Sequence, residues 1–240
     1  MMPRFVYAFA RIYGIASIKR GYSYTIGYMV MPLSLLFLFG IISGGSLIPF
    51  AILGGLISIT ASNALSTLTD IGFFRIELKL QDLFVATGIS ATDYMLGESL
   101  SNLVYSLPGM AIYVVGALLL NLFPAIWLIP IAVVLLLLTI AASSLAFIVG
   151  SIPKHMRNVW GFTGIISVIF SLVPPIFYPY TILPKPLLWI FMLSPATPAS
   201  IILQNISNLT PYLWYCLPVL IIETIVYFLL AKPLTRWREK

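Results

Sequence analysis

Polar side chains inside otherwise apolar stretches are the residues of this chain that could do chemistry. Ser58, Ser62, Asn63 and Ser66 recur near helical spacing within one such stretch. Hydroxyl and amide groups in that arrangement could line a pathway, or could join neighbouring helices by hydrogen bonds. Glu223 lies near the middle of another apolar stretch. A carboxyl group there is costly unless it is protonated or paired, so it indicates either a packing contact or a contact with substrate or a second subunit.

Residue patterns that would indicate an enzyme are absent from the sequence. The chain has one histidine, His155, which follows Lys154 in a basic segment, and one cysteine, Cys216. It contains no G-x-x-x-x-G-K-[ST] segment and no His/Cys spacing of a zinc site. We therefore expect no catalytic residue, no cofactor and no metal in this chain.

The composition excludes an ordinary soluble domain. Of 240 residues, 60% are hydrophobic and 8% are charged, whereas a soluble domain has about 25% charged residues. Apolar stretches of about 18 or more residues are typical of transmembrane helices. We predict an all-α membrane protein, a single domain of residues 1–240, with six spans: Tyr24–Ile42, Leu47–Leu68, Leu100–Leu120, Ala125–Val149, Val159–Phe177 and Tyr212–Leu230.

The positions of the basic residues predict the orientation. Twelve of the 13 Lys and Arg residues fall in the N-terminal segment, in the connections after spans two and four, and in the tail, whereas Lys185 alone falls on the other side. Because basic residues gather in cytoplasmic loops, both termini are predicted to be cytoplasmic in a multi-pass plasma-membrane protein. The net charge of +6 is explained in this way, and we expect no nucleic-acid partner.

The segments outside the spans predict four further features. Residues 1–22 form an amphipathic helix in the membrane interface, with Phe5, Phe9, Ile12 and Tyr13 at helical spacing. Residues 178–211 are rich in proline and predict two short external helices, Leu187–Leu193 and Ala199–Ile206, that form a re-entrant segment. Phe170 and Phe177, near the end of the fifth span, could belong to an aromatic belt or to an external gate. Asn205 and Asn208 match the glycosylation pattern.

Residues 70–98 form the longest predicted cytoplasmic loop. Within it, Leu80, Leu83 and Phe84 share one face of a short amphipathic helix that ends before Gly88. Ser90 to Asp93 then read as a capping box that starts the helix of the third span. The apolar face of the short helix must pack on lipid, on neighbouring helix ends, or in the groove of a partner protein.

Two segments resemble the type-2 ABC exporter permeases. The first is LQDLFVATGISATDYMLGE, although Glu98 stands where many members carry Lys, and the second is the proline-rich segment 174–206. The resemblance implies two permeases, identical or related, around a pathway, each seating a coupling helix on a separate P-loop ATPase that binds ATP and Mg²⁺. The coupling residues would be Leu80, Gln81, Asp82, Leu83, Phe84 and Thr87. The pathway candidates are Ser58, Ser62, Asn63, Ser66, Phe170, Phe177 and Glu223.

The alternative is a gradient-driven secondary transporter or channel. That class is typified by internal repeats and by ionisable residues at mid-membrane, but no clear repeat relates the halves of this chain, and Glu223 is its one deeply placed charge. The cargo is not indicated by any motif, and the expectation of export rests on the family resemblance.

Overall fold

The computed structural model describes residues 2–206, 209–235 and 237. That part of the chain is almost entirely helical and contains no strands. Arg236, Arg238 and Lys240 of the basic tail, and Asn208 of the second glycosylation motif, lie outside the described residues. The α-helices are α1 (Pro3–Phe9), α2 (Ala16–Arg20), α3 (Tyr22–Ile42), α4 (Ile48–Gly72), α5 (Leu80–Ala86), α6 (Ala91–Leu119), α7 (Leu128–Gly150), α8 (Met156–Ser171), α9 (Lys185–Phe191), α10 (Ala196–Gln204) and α11 (Leu209–Leu234).

Within the described residues, five helices are long and apolar enough to cross a membrane, and they confirm the predicted all-α membrane fold. They are α3, α4 with a π-helical extension to Glu77, α6, α7 with a preceding 3₁₀ turn, and α11. Helix α4 with its extension continues to Glu77, beyond the end predicted for the second span at Leu68, whereas α6 begins at Ala91, at the capping box predicted for its start. Asp70 and Glu98 therefore belong to long helices.

The fifth predicted span is only partly helical. Helix α8 has 16 residues and ends at Ser171, so it is about 24 Å long and too short for a hydrocarbon core of about 30 Å. The prediction that the helix reaches Phe177 was wrong, because Pro174 and Pro175 cannot donate the hydrogen bonds that a helix needs.

The chain nevertheless completes this crossing beside α4. Val159 packs at Gly72, Thr163 is hydrogen-bonded to Thr69 (2.8 Å between hydroxyl oxygens), and Ser171 to Ser62 (3.0 Å). Further along, the carbonyl of Ile176 lies against Gly54. Residues 159–176 thus run antiparallel to α4 from Gly72 to Gly54, a length of about 27 Å at the rise of an α-helix.

The non-helical end of this crossing is enclosed by protein. Pro174 to Phe177 are all buried. The carbonyl of Pro175 accepts hydrogen bonds from the Ser200 hydroxyl (2.6 Å) and the Gln204 side-chain amide (2.7 Å), both on α10. Irregular backbone is tolerated at membrane depth only where protein or water satisfies it, and here α10 does so.

Helices α9 and α10 form a V with a bend of 119°. The amide N–H of Tyr180, before α9, donates to Gln204 at the end of α10 (3.2 Å), so both arms end at the same level. The turn between them lies deeper, because the Ser194 hydroxyl donates to the carbonyl of Phe170 (2.7 Å). Residues 196–203 of α10 are buried throughout, so this helix is part of the core rather than a surface helix.

The two ends of the chain meet at one end of the bundle, here named the termini end. The Gln81 amide on α5 donates to the carbonyl of Trp237 (3.2 Å), and the Trp237 indole donates to the carbonyl of Ile89 (3.2 Å). On the same side, the ring of Phe5 packs on Phe84 with 5.6 Å between centroids. Termini at the same end require an even number of crossings, which agrees with five spanning helices plus residues 159–176.

Candidate functional site

A cleft lined by hydroxyl groups lies between α3, α4 and α8, and we name it the hydroxyl cleft. Its volume is about 250 Å³, and Ser58, Ser62 and Ser66 of α4 line one wall. Helix α8 lines the other wall with further hydroxyls, and α3 contributes mainly apolar surface. The complete lining is Gly27, Tyr28, Met31, Pro32, Ser58, Ser62, Ser66, Thr163, Ser167, Val168, Ser171 and Leu172.

Several hydroxyls of the cleft are held by carbonyls of their own helices. Ser66 donates to the carbonyl of Asn63 (2.7 Å), Ser171 to that of Ser167 (2.6 Å), and Thr163 to that of Val159 (2.9 Å). A hydroxyl that donates in this way keeps acceptor capacity for another group. The walls of the cleft are therefore mildly polar and favour an amphiphilic rather than a strongly hydrated occupant.

The other face of the predicted polar stripe joins helices instead. The Asn63 amide is buried and donates to the Ser106 hydroxyl on α6 (2.9 Å), and the Asn102 amide donates to the Thr67 hydroxyl (2.6 Å). The residues of the stripe are therefore divided between two faces of α4. The serines four residues apart face the cleft, whereas Asn63 packs α4 against α6.

A second cavity continues the cleft toward the termini end, and we name it the carboxyl pocket. It has a volume of about 270 Å³ and shares Tyr28 and Ser66 with the hydroxyl cleft. Asp70 and Glu98 both line it. The complete lining is Tyr13, Ser17, Tyr28, Ser66, Asp70, Phe73, Phe74, Glu98, Ser101, Asn102 and Tyr105.

The two carboxyl groups of this pocket lie close enough to each other to interact. Glu98 is only 3% exposed, and its Oε2 atom has no hydrogen-bond partner among the described residues. Burial, followed by the nearby Glu98 and Asp70, raises the pKa of Tyr13 above its usual value, so this phenol stays neutral. Sequence reasoning missed the pair because it assigned both acids to a loop.

A signal for Asp70 was nevertheless present in the sequence. Ser58, Ser62, Ser66 and Asp70 follow one another at intervals of four residues, which places them along one face of a continuous helix. Extending the polar stripe by one turn would have placed Asp70 in the same cavity system.

Besides Asn63, three predicted pathway residues lie away from both cavities. Phe170 is half-buried and packs on the cluster between α4, α7 and α8. Phe177 is buried, and its ring stacks on Phe39 with 5.8 Å between centroids, so it fastens the non-helical segment to α3. Glu223 lies on α11, which packs against α7 and α10, and neither carboxyl oxygen has a hydrogen-bond partner in the described part of the chain.

The short helix α5 is framed by turns with left-handed backbone. Lys79 precedes the helix at φ 50°, and Gly88 follows it at φ 78°, a conformation that glycine adopts without steric cost. Ser90 then caps α6, and its hydroxyl accepts a hydrogen bond from the amide of Asp93 (3.1 Å), as predicted. These turns hold α5 as a separate unit between the two long helices.

The predicted apolar face of α5 is divided between the protein core and the surface. Phe84 packs on the rings of Phe5 (5.6 Å), Phe9 (6.4 Å) and Tyr94 (5.3 Å between centroids). Leu83 is 55% exposed. Asp82 and Thr87 are also exposed, whereas Leu80 and Gln81 are half-buried. The aromatic cluster beneath α5 comprises Phe5, Phe9, Tyr13, Phe74, Phe84, Tyr94 and Trp237.

The N-terminal segment supplies part of that cluster. It is helical from Pro3 to Arg20, with a π-helical turn at Ala10–Ile15. Phe9 is buried in this cluster, whereas Ile12 is 59% exposed and lies outside it. The amide of Met2 donates to the Asp93 carboxylate (2.7 Å), which fastens this segment to the start of α6.

Comparison with known proteins agrees with this arrangement of helices. A family model described as ABC-2 type transporter matches residues 11–208. The match extends from the N-terminal segment through α5 and both cavities to the re-entrant helices. No curated protein matches the chain.

Proposed function

We propose, because this chain belongs to the ABC-2 type transporter family, that it is the permease of an ABC exporter and is driven by ATP hydrolysis in a separate subunit. Membership of the family makes it a multi-pass transmembrane component of an ABC transporter. Since the sequence has no P-loop, ATP and Mg²⁺ would be bound by that partner.

The observation that carries this proposal is the arrangement of α5. The helix is short, framed by two turns, and anchored through Phe84, while Leu83 and Asp82 remain exposed beside it. An exposed leucine next to a carboxylate suits the groove of a partner protein, where the apolar side chain gains burial and the charge adds specificity. In the proposed mechanism, ATP-driven movement of the partner shifts α5 and so favours one of two conformations of the permease.

The hydroxyl cleft supports a role in the substrate pathway. Only three helices enclose it, so we propose that a second copy or a related permease completes the pathway on the open side. The direction of transport is proposed as export, with the termini end in the cytoplasm.

The test is co-purification of the partner ATPase with the tagged chain, expressed with its genomic neighbours. Because Leu83 is exposed, Leu83→Glu should leave the melting temperature of the permease unchanged while the P-loop subunit and its ATPase activity disappear from the eluate. Leu119→Glu is the matched control. Leu119 is 76% exposed at the opposite end of the bundle, and this variant should retain the partner.

Equal recovery of the ATPase with Leu83→Glu and wild type would refute the role of α5. A gradient-driven transporter is the second candidate, and the carboxyl pair of Asp70 and Glu98 inside the helix bundle favours it. A permease that purifies with no P-loop protein, yet transports in response to an ion gradient, would establish that alternative.

A further inference from the structure

The carboxyl pocket contains two acidic side chains, which transport through the hydroxyl cleft does not by itself require. Asp70 approaches it from α4 and Glu98 from α6, and both side chains line the cavity. Two carboxyl groups close together in one cavity attract positive charge.

The burial of Glu98 adds to this attraction. This residue is 97% buried, lines the pocket, and leaves its Oε2 atom without a hydrogen bond among the described residues. A buried acceptor without a donor costs free energy comparable to a lost hydrogen bond. A positively charged occupant of the pocket would lower this cost through its attraction to the carboxyl group.

The rest of the lining selects an organic cation over a metal ion. Aromatic rings dominate the pocket, including Tyr13, Phe73 and Phe74, and its lining contains no lysine or arginine. Rings of this kind attract ammonium groups through their π faces. Mg²⁺ and Ca²⁺ require about six or more oxygen ligands, and the described residues contain no group of three or more acids, histidines or cysteines suited to a metal.

We propose that the carboxyl pocket binds the ammonium head of a cationic amphiphile whose apolar tail occupies the hydroxyl cleft. The two cavities meet at Tyr28 and Ser66, so one elongated molecule can occupy both. The positive charge of the head complements the two carboxyl groups of the pocket, whose lining contains no basic residue. This assignment rests on the proposed function, because it names the substrate class of the same pathway.

The test uses two fluorescent amphiphiles that differ only in charge. Diphenylhexatriene is neutral, and its trimethylammonium derivative has the same tail with a cationic head. The permease is purified alone in lipid nanodiscs, and its melting temperature is measured with each probe. The cationic probe should raise the melting temperature through preferential binding to the folded state, whereas the neutral probe should raise it much less.

Variants of the carboxyl pair should weaken binding of the cationic probe selectively. Glu98→Gln and Asp70→Asn should each reduce its affinity by about tenfold or more, because each variant removes a carboxyl group that attracts the trimethylammonium head electrostatically. Glu223→Gln is the control, since this carboxyl lies on α11 away from the pocket, and it should bind the cationic probe as wild type does. Equal stabilisation by the two probes, or unchanged affinity in both pocket variants, would overturn the proposal.

A measurement on the wild-type chain keeps the test valid if a pocket variant does not fold. Dicyclohexylcarbodiimide modifies protonated carboxyl groups in apolar surroundings, and mass spectrometry locates the adduct. The cationic probe should protect the peptides containing Asp70 and Glu98, and the neutral probe should not. Absence of protection would contradict the proposal.

The outcome of this experiment is independent of whether the proposed function is correct. Probe binding is measured without the ATPase, and Leu83→Glu should bind the cationic probe as wild type does. A permease that retains its ATPase partner but shows no preference for the cationic probe refutes the cation site alone. A permease that prefers the cationic probe but has no ATPase partner refutes the exporter alone.

Discussion

Replacing Gln204 by leucine tests whether α10 holds the non-helical part of the fifth crossing. The Gln204 amide donates to the carbonyls of Pro175 (2.7 Å) and Tyr178 (3.0 Å), and its oxygen accepts from the amide N–H of Tyr180 (3.2 Å). Leucine has a similar size and none of these hydrogen bonds. Pro175 would keep its bond from Ser200, whereas Tyr178 and Tyr180 would each lose this partner.

The expected loss of stability follows from those two groups. An unsatisfied buried polar group costs about 1–3 kcal/mol, and Tyr178 and Tyr180 are half-buried, so the lower part of that range applies to each. The sum is about 2–3 kcal/mol. For a chain of this size, 1 kcal/mol lowers the melting temperature by about 2–4 °C, so Gln204→Leu should lower it by about 4–12 °C.

Thermal unfolding of the purified permease, followed by tryptophan fluorescence, measures this shift. Ser200→Ala removes one of the two hydrogen bonds to Pro175 and should cost about 1 kcal/mol. Thr139→Val is the control, because the Thr139 hydroxyl donates only to Leu135 of its own helix (2.8 Å), and it should change the melting temperature little. A Gln204→Leu variant no less stable than Thr139→Val would refute the argument that α10 supports this crossing.

Two further predictions concern packing within the bundle. A Cβ atom at Gly55 would overlap the Tyr113 ring, so Gly55→Ala should destabilise the permease by about 1–3 kcal/mol. Gly164 lies on α8 with open space around it, so Gly164→Ala should instead stabilise the permease by about 0.5–1 kcal/mol. Equal melting temperatures of the Gly55→Ala and Gly164→Ala variants would contradict both predictions. Glu223→Leu should raise the melting temperature, since both carboxyl oxygens lack partners within the described chain, and a lowered melting temperature would show that the carboxyl group stabilises the fold.

The class of fold could be predicted because membrane thickness constrains span length and composition strongly. Apolar length located α3, α7 and α11 to within a few residues. The second span was predicted to end at Leu68 because charged residues were taken to end it, whereas α4 continues past Asp70. Asp70 and Glu98 line one pocket from two different helices, and sequence spacing does not reveal such a pair.

Side-chain environments were harder to predict where tertiary packing chooses between equivalent faces. Leu83 and Phe84 are both apolar and adjacent, yet Phe84 is covered by Phe5 and Phe9 of a distant segment while Leu83 stays exposed. Helix α10 has a composition that suits either a membrane surface or a core. Its burial follows from the irregular backbone of residues 174–177, which requires donors from Ser200 and Gln204.

The start of α6 physically links the proposed partner surface to the carboxyl pocket. Phe84 of α5 packs on Tyr94 (5.3 Å between centroids), and Glu98 lies one helical turn further along α6. Gly97 leaves room for Phe9 to lie against the same turn. A partner that displaces Leu83 must also move Phe84, and through its ring contact it acts on the helix that holds Glu98. Such a contact transmits free energy only if α6 has two stable positions and the partner and the pocket occupant each prefer one of them.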